Sequence, residues 1–487
     1  MTIDINWIAF APALTMLVFA CVAILFAVFQ PEEGKATALI ALVGIGFAFI
    51  LNLNEFLQGW RLGVYHSSFG GRFIADAPAL AFNFVILIGA FLAILIAYDY
   101  LERTGLDHPE YYPLLLLSAC GAMVMASAGD LITLVLGLEI MSLAVYVLSA
   151  WRQNARESEE AGMKYFLLGV FASAFLIYGI AMMYGATGYF TYAGVANALQ
   201  VEGFNKFFYA SLGGVMLIAG LGFKVAFAPF HQWAPDVYTG APTSVTAFMG
   251  VVVKAGAFAA FLRVVASFFP ELPPVVTQTL AVMIFLTLVI GNLGALVQTS
   301  LKRMLAYSAV GHAGYLGLAL LNAQNTGMNA AAWYLMAYTL MTAGAFAVLT
   351  LLTDKNDYGD TIERFAGLGK TKPFLAFSLT IFLLSLAGIP LLAGFVGKIL
   401  VFQAAIQAGY TALAVAAIIT SVIALVYYVR PIVYMYFRES EYVPMEHKSG
   451  ATRFAVVFAL VGTILLGVFP GWWYGLLEAG QRLLAGM

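Results

Sequence analysis

Apolar runs of about 20 residues recur along the whole chain, broken by short stretches that hold most of its charge, and this pattern fixes the solvent in which it folds. Hydrophobic residues make up 62% and charged residues 10% of the sequence, whereas globular domains carry roughly 25% charge. The solvent is lipid. Inside hydrocarbon only α-helices or closed barrels satisfy every backbone polar group, and a barrel strand needs only about 9–11 residues. Runs twice that long are helices, so no strands are expected. Windows bounded by charge, Gly or Pro give about 14 spans. They start near Trp7, Ala36, Pro78, Tyr112, Asp130, Gly162 and Ser211, then near Ser244, Pro274, Met304, Asn329, Pro373, Thr411 and Arg453. The first is a retained span and not a secretory signal, because Asp4 replaces a basic start and Trp7 to Phe29 is too long for an h-region.

The basic residues orient the spans. Of 23 Lys and Arg, about 14 fall in alternate connections on one side (Lys35, Arg103, Arg152, Arg156, Lys164, Lys302, Arg303, Lys355, Arg364, Lys370, Lys372, Arg438, Lys448, Arg453) and about 4 on the other. The richer side is cytoplasmic by the positive-inside rule, which leaves both termini and the loop from Asn54 to Ala77 outside. Two spans are interrupted, the seventh at Pro229 and the twelfth at Gly388-Ile389-Pro390, and they lie five spans apart. A repeat with an odd number of helices enters the membrane from opposite faces in its two copies. The expected fold is therefore an all-α integral membrane protein of about 14 transmembrane helices, with two inverted five-helix repeats that each contain a broken helix. It forms one polytopic domain, 1–487, divided into three N-terminal spans (1–111), a first repeat (112–268), a second repeat (274–438) and a C-terminal span (453–487).

Five basic residues belong to no connection: Lys224, Lys254, Arg263, Lys398 and Arg430. Glu139 follows Asp130 by nine residues, about 13 Å into a core about 30 Å thick, and Lys254 lies about 15 Å deep, beyond snorkelling reach. Lys224 precedes Pro229 by five residues and Lys398 follows Pro390 by eight, so each accompanies a broken helix whose freed backbone groups can hold water. Each such charge costs at least roughly 2.5–3.5 kcal/mol on insertion scales, which argues for a function. The bland alternative is an ion pair that staples spans. Arg263 and Arg430 lie near span ends, where snorkelling or phosphate contact is the default. A buried lysine suits proton transfer, because desolvation loosens its proton and an approaching carboxylate tightens it. With Glu139 close, Lys224 keeps its proton; with the carboxylate withdrawn, the proton passes toward Lys254 and Lys398.

His312, beside Gly311 and Gly314 in the tenth span, is placed to bridge Lys254 and Lys398, its rival reading being a packing histidine. His231, after the Pro229 break, suits a helix-end role at least as well as relay, and His66, His108 and His447 read as solvated loop residues. Cys21 and Cys120 sit alone in apolar runs, and no His–carboxylate group has metal spacing. Neither a cofactor nor a metal is expected, and nothing suggests nucleic acid.

Around the seventh and eighth spans the sequence reads Lys224, Pro229-Phe230-His231, Trp233, Pro235-Asp236-Val237-Tyr238, Gly240-Ala241-Pro242 and then Lys254. It resembles the antiporter-like membrane subunits of proton-pumping NADH:quinone oxidoreductase, respiratory complex I, in the form of their subunit N (subunit 2) branch. Gly137-Leu138-Glu139, Tyr307-Ser308, His312-Ala313-Gly314-Tyr315, Gly388-Ile389-Pro390, Gly394-Phe395 and Lys398 extend the likeness over roughly Tyr112 to Phe437. One departure is Pro390-Leu391, where the family often has two prolines. The resemblance implies that Glu139 and Lys224 form a coupled pair and that Lys254 and Lys398 continue the path. It also implies other complex I subunits as partners, redox chemistry located on those subunits, and a bacterial inner membrane. A sodium/proton antiporter subunit, a non-transporting structural subunit and, least favoured, a redox enzyme are the rival readings.

Overall fold

The computed structural model describes residues 5–153, 155–200, 204–354, 357, 360–439 and 446–477. The chain opens with α1 (Trp7–Phe29) and α2 (Gly34–Leu62), a two-stranded antiparallel ribbon of β1 (His66–Ser68) and β2 (Phe73–Ala75), and α3 (Ala77–Thr104). It continues with α4 (Tyr111–Ala126), α5 (Leu131–Ser149), α6 (Arg156–Thr187), the short α7 (Tyr192–Leu199), α8 (Phe204–Lys224), α9 (Trp233–Gly240) and α10 (Thr243–Phe248). A π-turn over Met249–Val253 joins α10 to α11 (Lys254–Phe268). Then come α12 (Pro274–Leu296), α13 (Leu301–Leu320), α14 (Met328–Leu352), α15 (Leu368–Thr371), α16 (Pro373–Ala387), α17 (Ala393–Gln407), α18 (Thr411–Phe437) and α19 (Gly450–Val468). Eleven of the described helical stretches are long and apolar enough to cross a membrane, and α4, α16 and α17 are shorter apolar helices. The expected span starts lie within seven residues of observed helix starts.

The fold is all-α as expected, and the ribbon corrects only the expectation that no strands occur. Gly70 and Gly71 both take positive φ and turn the chain back, and β2 also bridges to Ala128 between α4 and α5. Lys355, and the part of the expected C-terminal segment after Leu477, fall outside the described residues.

Helix ends follow short-range chemistry. Asp76, Asp130, Ser300 and Ser449 cap α3, α5, α13 and α19 by accepting from the backbone N–H of Ala79, Thr133, Arg303 and Thr452. Gly63, Gly105 and Gly188 close α2, α3 and α6 in the left-handed conformation. In lipid there is no hydrophobic drive between helices, so contact is won by close packing. A Cβ on Gly121 of α4 would lie 2.4 Å from the Met141 nitrogen of α5, and one on Gly291 of α12 would lie 2.4 Å from the Gly311 nitrogen of α13. The apolar windows around α10–α11 and α14 are wholly buried and form the centre, while α1, α6 and α18 turn large apolar side chains outward.

Two isolated β-bridges, Asp130 with Thr191 and Ser300 with Thr361, hold the starts of α5 and α13 to the loops that follow α6 and α14. Their members, like Gly121 and Gly291 and like Met141 and Gly311, are separated by the same 170 positions. The first bridge lies at the Phe268 end of α11, where Arg263 donates to the Ala126 carbonyl and Phe268 meets Tyr192. The second lies at the Thr243 end of α10, where Thr243 donates to Asp357.

Candidate functional site

Both breaks have a local cause. Between α8 and α9, Ala226 has φ +62 and Pro229 lacks the N–H that a continuing helix would need, so the helix cannot continue. The Ala228 N–H donates to Thr287 Oγ1 of α12 and the Trp233 indole to the Phe223 carbonyl, replacing lost helix bonds. Between α16 and α17, Gly388 has φ +92 and Leu391 has φ +71. Proline, fixed near φ −65°, could not occupy position 391 in this conformation, which gives physical content to the departure from the family pattern there. The Gly394 N–H turns to Ser385 Oγ at 3.0 Å.

Lys224 is the last residue of α8, and its Nζ donates to Tyr146 Oη at 2.8 Å, 4.8 Å from the Tyr146 ring centroid and 5.4 Å from that of Tyr165. Gly169 of α6 makes room for that hydroxyl, since a Cβ there would lie 2.0 Å from Tyr146 Oη. Lys398 Nζ donates to the carbonyl of Ala387, the last residue of α16, and to Ser421 Oγ, both at 2.8 Å, and lies 4.8 Å from the Tyr315 ring. Both cations therefore sit at the C-terminal, partially negative end of a half-helix. Lys254, immediately after the π-turn, donates to the Ala309 carbonyl at 2.6 Å and lies 4.9 Å from the Tyr338 ring. All three lysines are buried. The π-turn is a third helix irregularity beside a buried charge, in a span whose sequence carries no proline to mark it.

His312 joins the two later lysines. Its Nδ1 shares a 2.7 Å hydrogen bond with Tyr334 and its Nε2 a 3.0 Å bond with Tyr428, whose hydroxyl also pairs with Ser308. The rings under Lys254 (Tyr338) and Lys398 (Tyr315) lie 4.9 and 5.7 Å from the imidazole. A neutral imidazole donates on one nitrogen and accepts on the other, so this position can pass a proton without a net charge.

Glu139 departs from expectation. It is only half-buried and points toward α6, where Ser173 donates to its Oε1 at 2.7 Å. Glu139, Ser142 and Tyr146 share one face of α5, which leads from the carboxylate toward Lys224, and the Ser142 hydroxyl donates to the Leu138 carbonyl. Arg263 is buried too, with both terminal nitrogens on Asp76 at 2.9 and 2.5 Å, an ion pair in place of snorkelling. His66 is no free loop residue, since its Nδ1 lies 2.5 Å from buried Glu55. Arg430 donates to the Gln298 carbonyl at a span end.

The tyrosines were missed. Sequence inspection ranks charges above hydroxyls, and of Tyr146, Tyr315, Tyr334, Tyr338 and Tyr428 only Tyr315 and Tyr338 follow a small residue inside a span (Gly314 and Ala337), which is the signal that could have found those two. Among the described residues no cluster of His, Cys, Asp and Glu suits a metal ion.

A family model described as NADH:quinone oxidoreductase/Mrp antiporter, TM, matches residues 128–424. A curated relative from Trichlorobacter lovleyi, NADH-quinone oxidoreductase subunit N, is 40% identical over 96% of this chain and 95% of its own. Among solved structures, a chain of respiratory complex I from Thermus thermophilus with bound aureothin aligns with a TM-score of 0.81 and 36% identity, covering 96% of this chain and all of that one. A chain of the Mrp complex from Dietzia aligns with a TM-score of 0.84 at 21% identity over 98% of each, a likeness of fold.

Proposed function

Because the chain belongs to the NADH:quinone oxidoreductase/Mrp antiporter membrane family, in its subunit N branch, we propose that it carries protons through the buried series Glu139, Lys224, Lys254, His312 and Lys398. The subunit works within the NADH-quinone oxidoreductase complex beside its other subunits, and redox chemistry elsewhere in that complex drives it. No redox step is assigned to this chain.

One observation carries the reading. Lys224, Lys254 and Lys398 are held only by neutral oxygens and ring faces, and among the described residues none has a carboxylate within 4 Å. The chain's staples look different: Arg263 sits on Asp76 and Lys302 on Asp357. A buried cation fastened for stability keeps its counter-ion, because an unpaired one costs too much. A cation held by dipoles and hydroxyls can give up its proton without stranding a partner charge. The half-buried Glu139 is the mobile element of the scheme, acting through Ser142 and Tyr146.

The architecture belongs to the proposal: 14 passes, with inverted repeats over 112–268 and 274–438 flanked by 1–111 and 453–487. The constant 170-position offset between the two bridges, and their location at opposite ends of the span from Thr243 to Phe268, support it. The Lys and Arg bias supports a bacterial cytoplasmic membrane with both termini outside.

Lys224→Ala tests the function in membranes that carry the assembled complex. Quinone-dependent NADH oxidation and proton pumping are expected to fall together with assembly intact; unchanged pumping would reduce the lysines to fasteners. Sodium uptake coupled to proton release, lost in the same variant, would favour the antiporter reading.

A further inference from the structure

An apolar groove of about 550 Å³ opens between α2, α3, α14 and α19 on the side of the ribbon, away from every residue of the proposed path. Its walls are Phe49, Phe84, Met336, Leu340 and Gly462, and Trp473 closes one end. It runs along α19 from Phe458 to Phe469, eleven residues or about 16 Å, which matches one leaflet's share of a hydrocarbon core about 30 Å thick. Trp472 and Trp473 stand just past the last turn of α19, where spans leave the hydrocarbon and indoles anchor at the level of the headgroups.

Trp473 supplies a second, independent observation. Its side chain is buried, with its ring 6.2 Å from that of Phe84, yet its Nε1 has no hydrogen-bond partner among the described residues. Trp333, a neighbour in the fold, gives its own indole N–H to the Pro470 carbonyl. A buried indole normally finds an acceptor, and leaving one unmet is costly. No side chain that lines the groove offers an acceptor.

We propose that this groove holds one acyl chain of a phospholipid from the leaflet on the ribbon side, with the Trp473 indole donating to the ester carbonyl at the head of that chain. The length of the groove selects a chain that ends near mid-bilayer. The single donor at its mouth selects a lipid that carries an acceptor where the hydrocarbon begins. The bound chain fills a gap between the N-terminal spans and α14 and α19, and so couples the first three spans to the body of the subunit.

Cryo-electron microscopy of the assembled complex in nanodiscs of phosphatidylethanolamine and phosphatidylglycerol tests this, together with quantification of phospholipid retained by the purified complex. Tubular density in the groove, continuous with a phosphate-bearing head beside Trp473, is the expected result. Gly462→Trp should remove that density and about one retained phospholipid per complex. A Cβ at Gly462 already lies 2.8 Å from Leu340 Cδ1, so Trp473→Phe, which removes only the N–H, is the second variant. It should keep assembly and loosen the lipid, seen as at least a several-fold lower occupancy after detergent washing. Density continuous with the chain beyond Leu477, density ending in a quinone ring, or lipid retention equal in all three proteins would each overturn the proposal. None of these outcomes bears on pumping through the lysines, so this inference and the proposed function fail separately.

Discussion

Tyr146 is the residue on which the Lys224 site turns. It offers the ammonium both its hydroxyl and its ring face, and it stands on the same face of α5 as Glu139. A hydrogen bond to a charged group is worth about 1.5–3 kcal/mol, roughly 10- to 100-fold in an equilibrium. Tyr146→Phe keeps the ring and removes the acceptor, so coupled NADH oxidation and pumping should fall by about tenfold or more in a fully assembled complex. Tyr165→Phe removes a hydroxyl that has no partner among the described residues and should cost far less. Comparable losses in the two variants, read from proton uptake in inverted vesicles, would mean that ring packing and not the hydroxyl sets the site. The pair also explains why burial alone is a poor guide here. Glu139, expected at the centre, is the most exposed member of the series, because a carboxylate on α5 finds its donor, Ser173, at the outward-facing side of α6.

Among the elements, the broken helices decide where charge can sit, and the twelfth expected span shows how tightly conformation and chemistry are joined. Gly388 at φ +92 takes a conformation that side chains rarely adopt, and a Cβ there would crowd Lys398 Cδ at 3.0 Å, while Leu391 at φ +71 takes a conformation few residues accept. Leu391→Pro forces φ to about −65° and should destabilise by more than about 1 kcal/mol, whereas Leu391→Gly takes positive φ freely. The thermal midpoint of the purified complex should therefore drop for the proline variant and hold or rise for the glycine variant; a proline variant as stable as the parent would show that the break can be rebuilt. The breaks, the spans and the four charged positions were legible in the sequence because proline, glycine and isolated charge act locally. The π-turn before Lys254 was not, because nothing in Met249–Val253 marks a change of hydrogen-bond register. The ribbon was legible only in its Gly70-Gly71 turn, and the partners of Arg263 and His66 were hidden because Asp76 and Glu55 reach them through tertiary contact.

For the molecule as a whole, Asp357 ties the expected second repeat to the first. Its carboxylate accepts from the Thr243 N–H at 3.0 Å and Oγ1 at 2.7 Å, where α10 begins, and from Lys302 Nζ at 3.1 Å, where α13 begins; Arg152, just beyond α5, lies 4.0 Å away. Lys302 also donates to the Ala241 carbonyl. These contacts lie at the Thr243 end of the central span, while Asp76 and Arg263 fasten its other end to the start of α3. The central span is thus clamped at both ends by fixed ion pairs, and the three lysines without carboxylates lie between the clamps. On the proposed path, that division would let a proton move through the interior without loosening the frame. It also predicts a sign. Removing one partner of a buried pair strands the other and costs about 3–5 kcal/mol, whereas replacing both with apolar groups is often neutral. Asp357→Asn should sharply lower the amount of assembled complex in membranes, and adding Lys302→Met should restore much of it, with pumping per complex close to that of the parent. If the double variant assembles but no longer pumps, Lys302 belongs to the path and not to the frame.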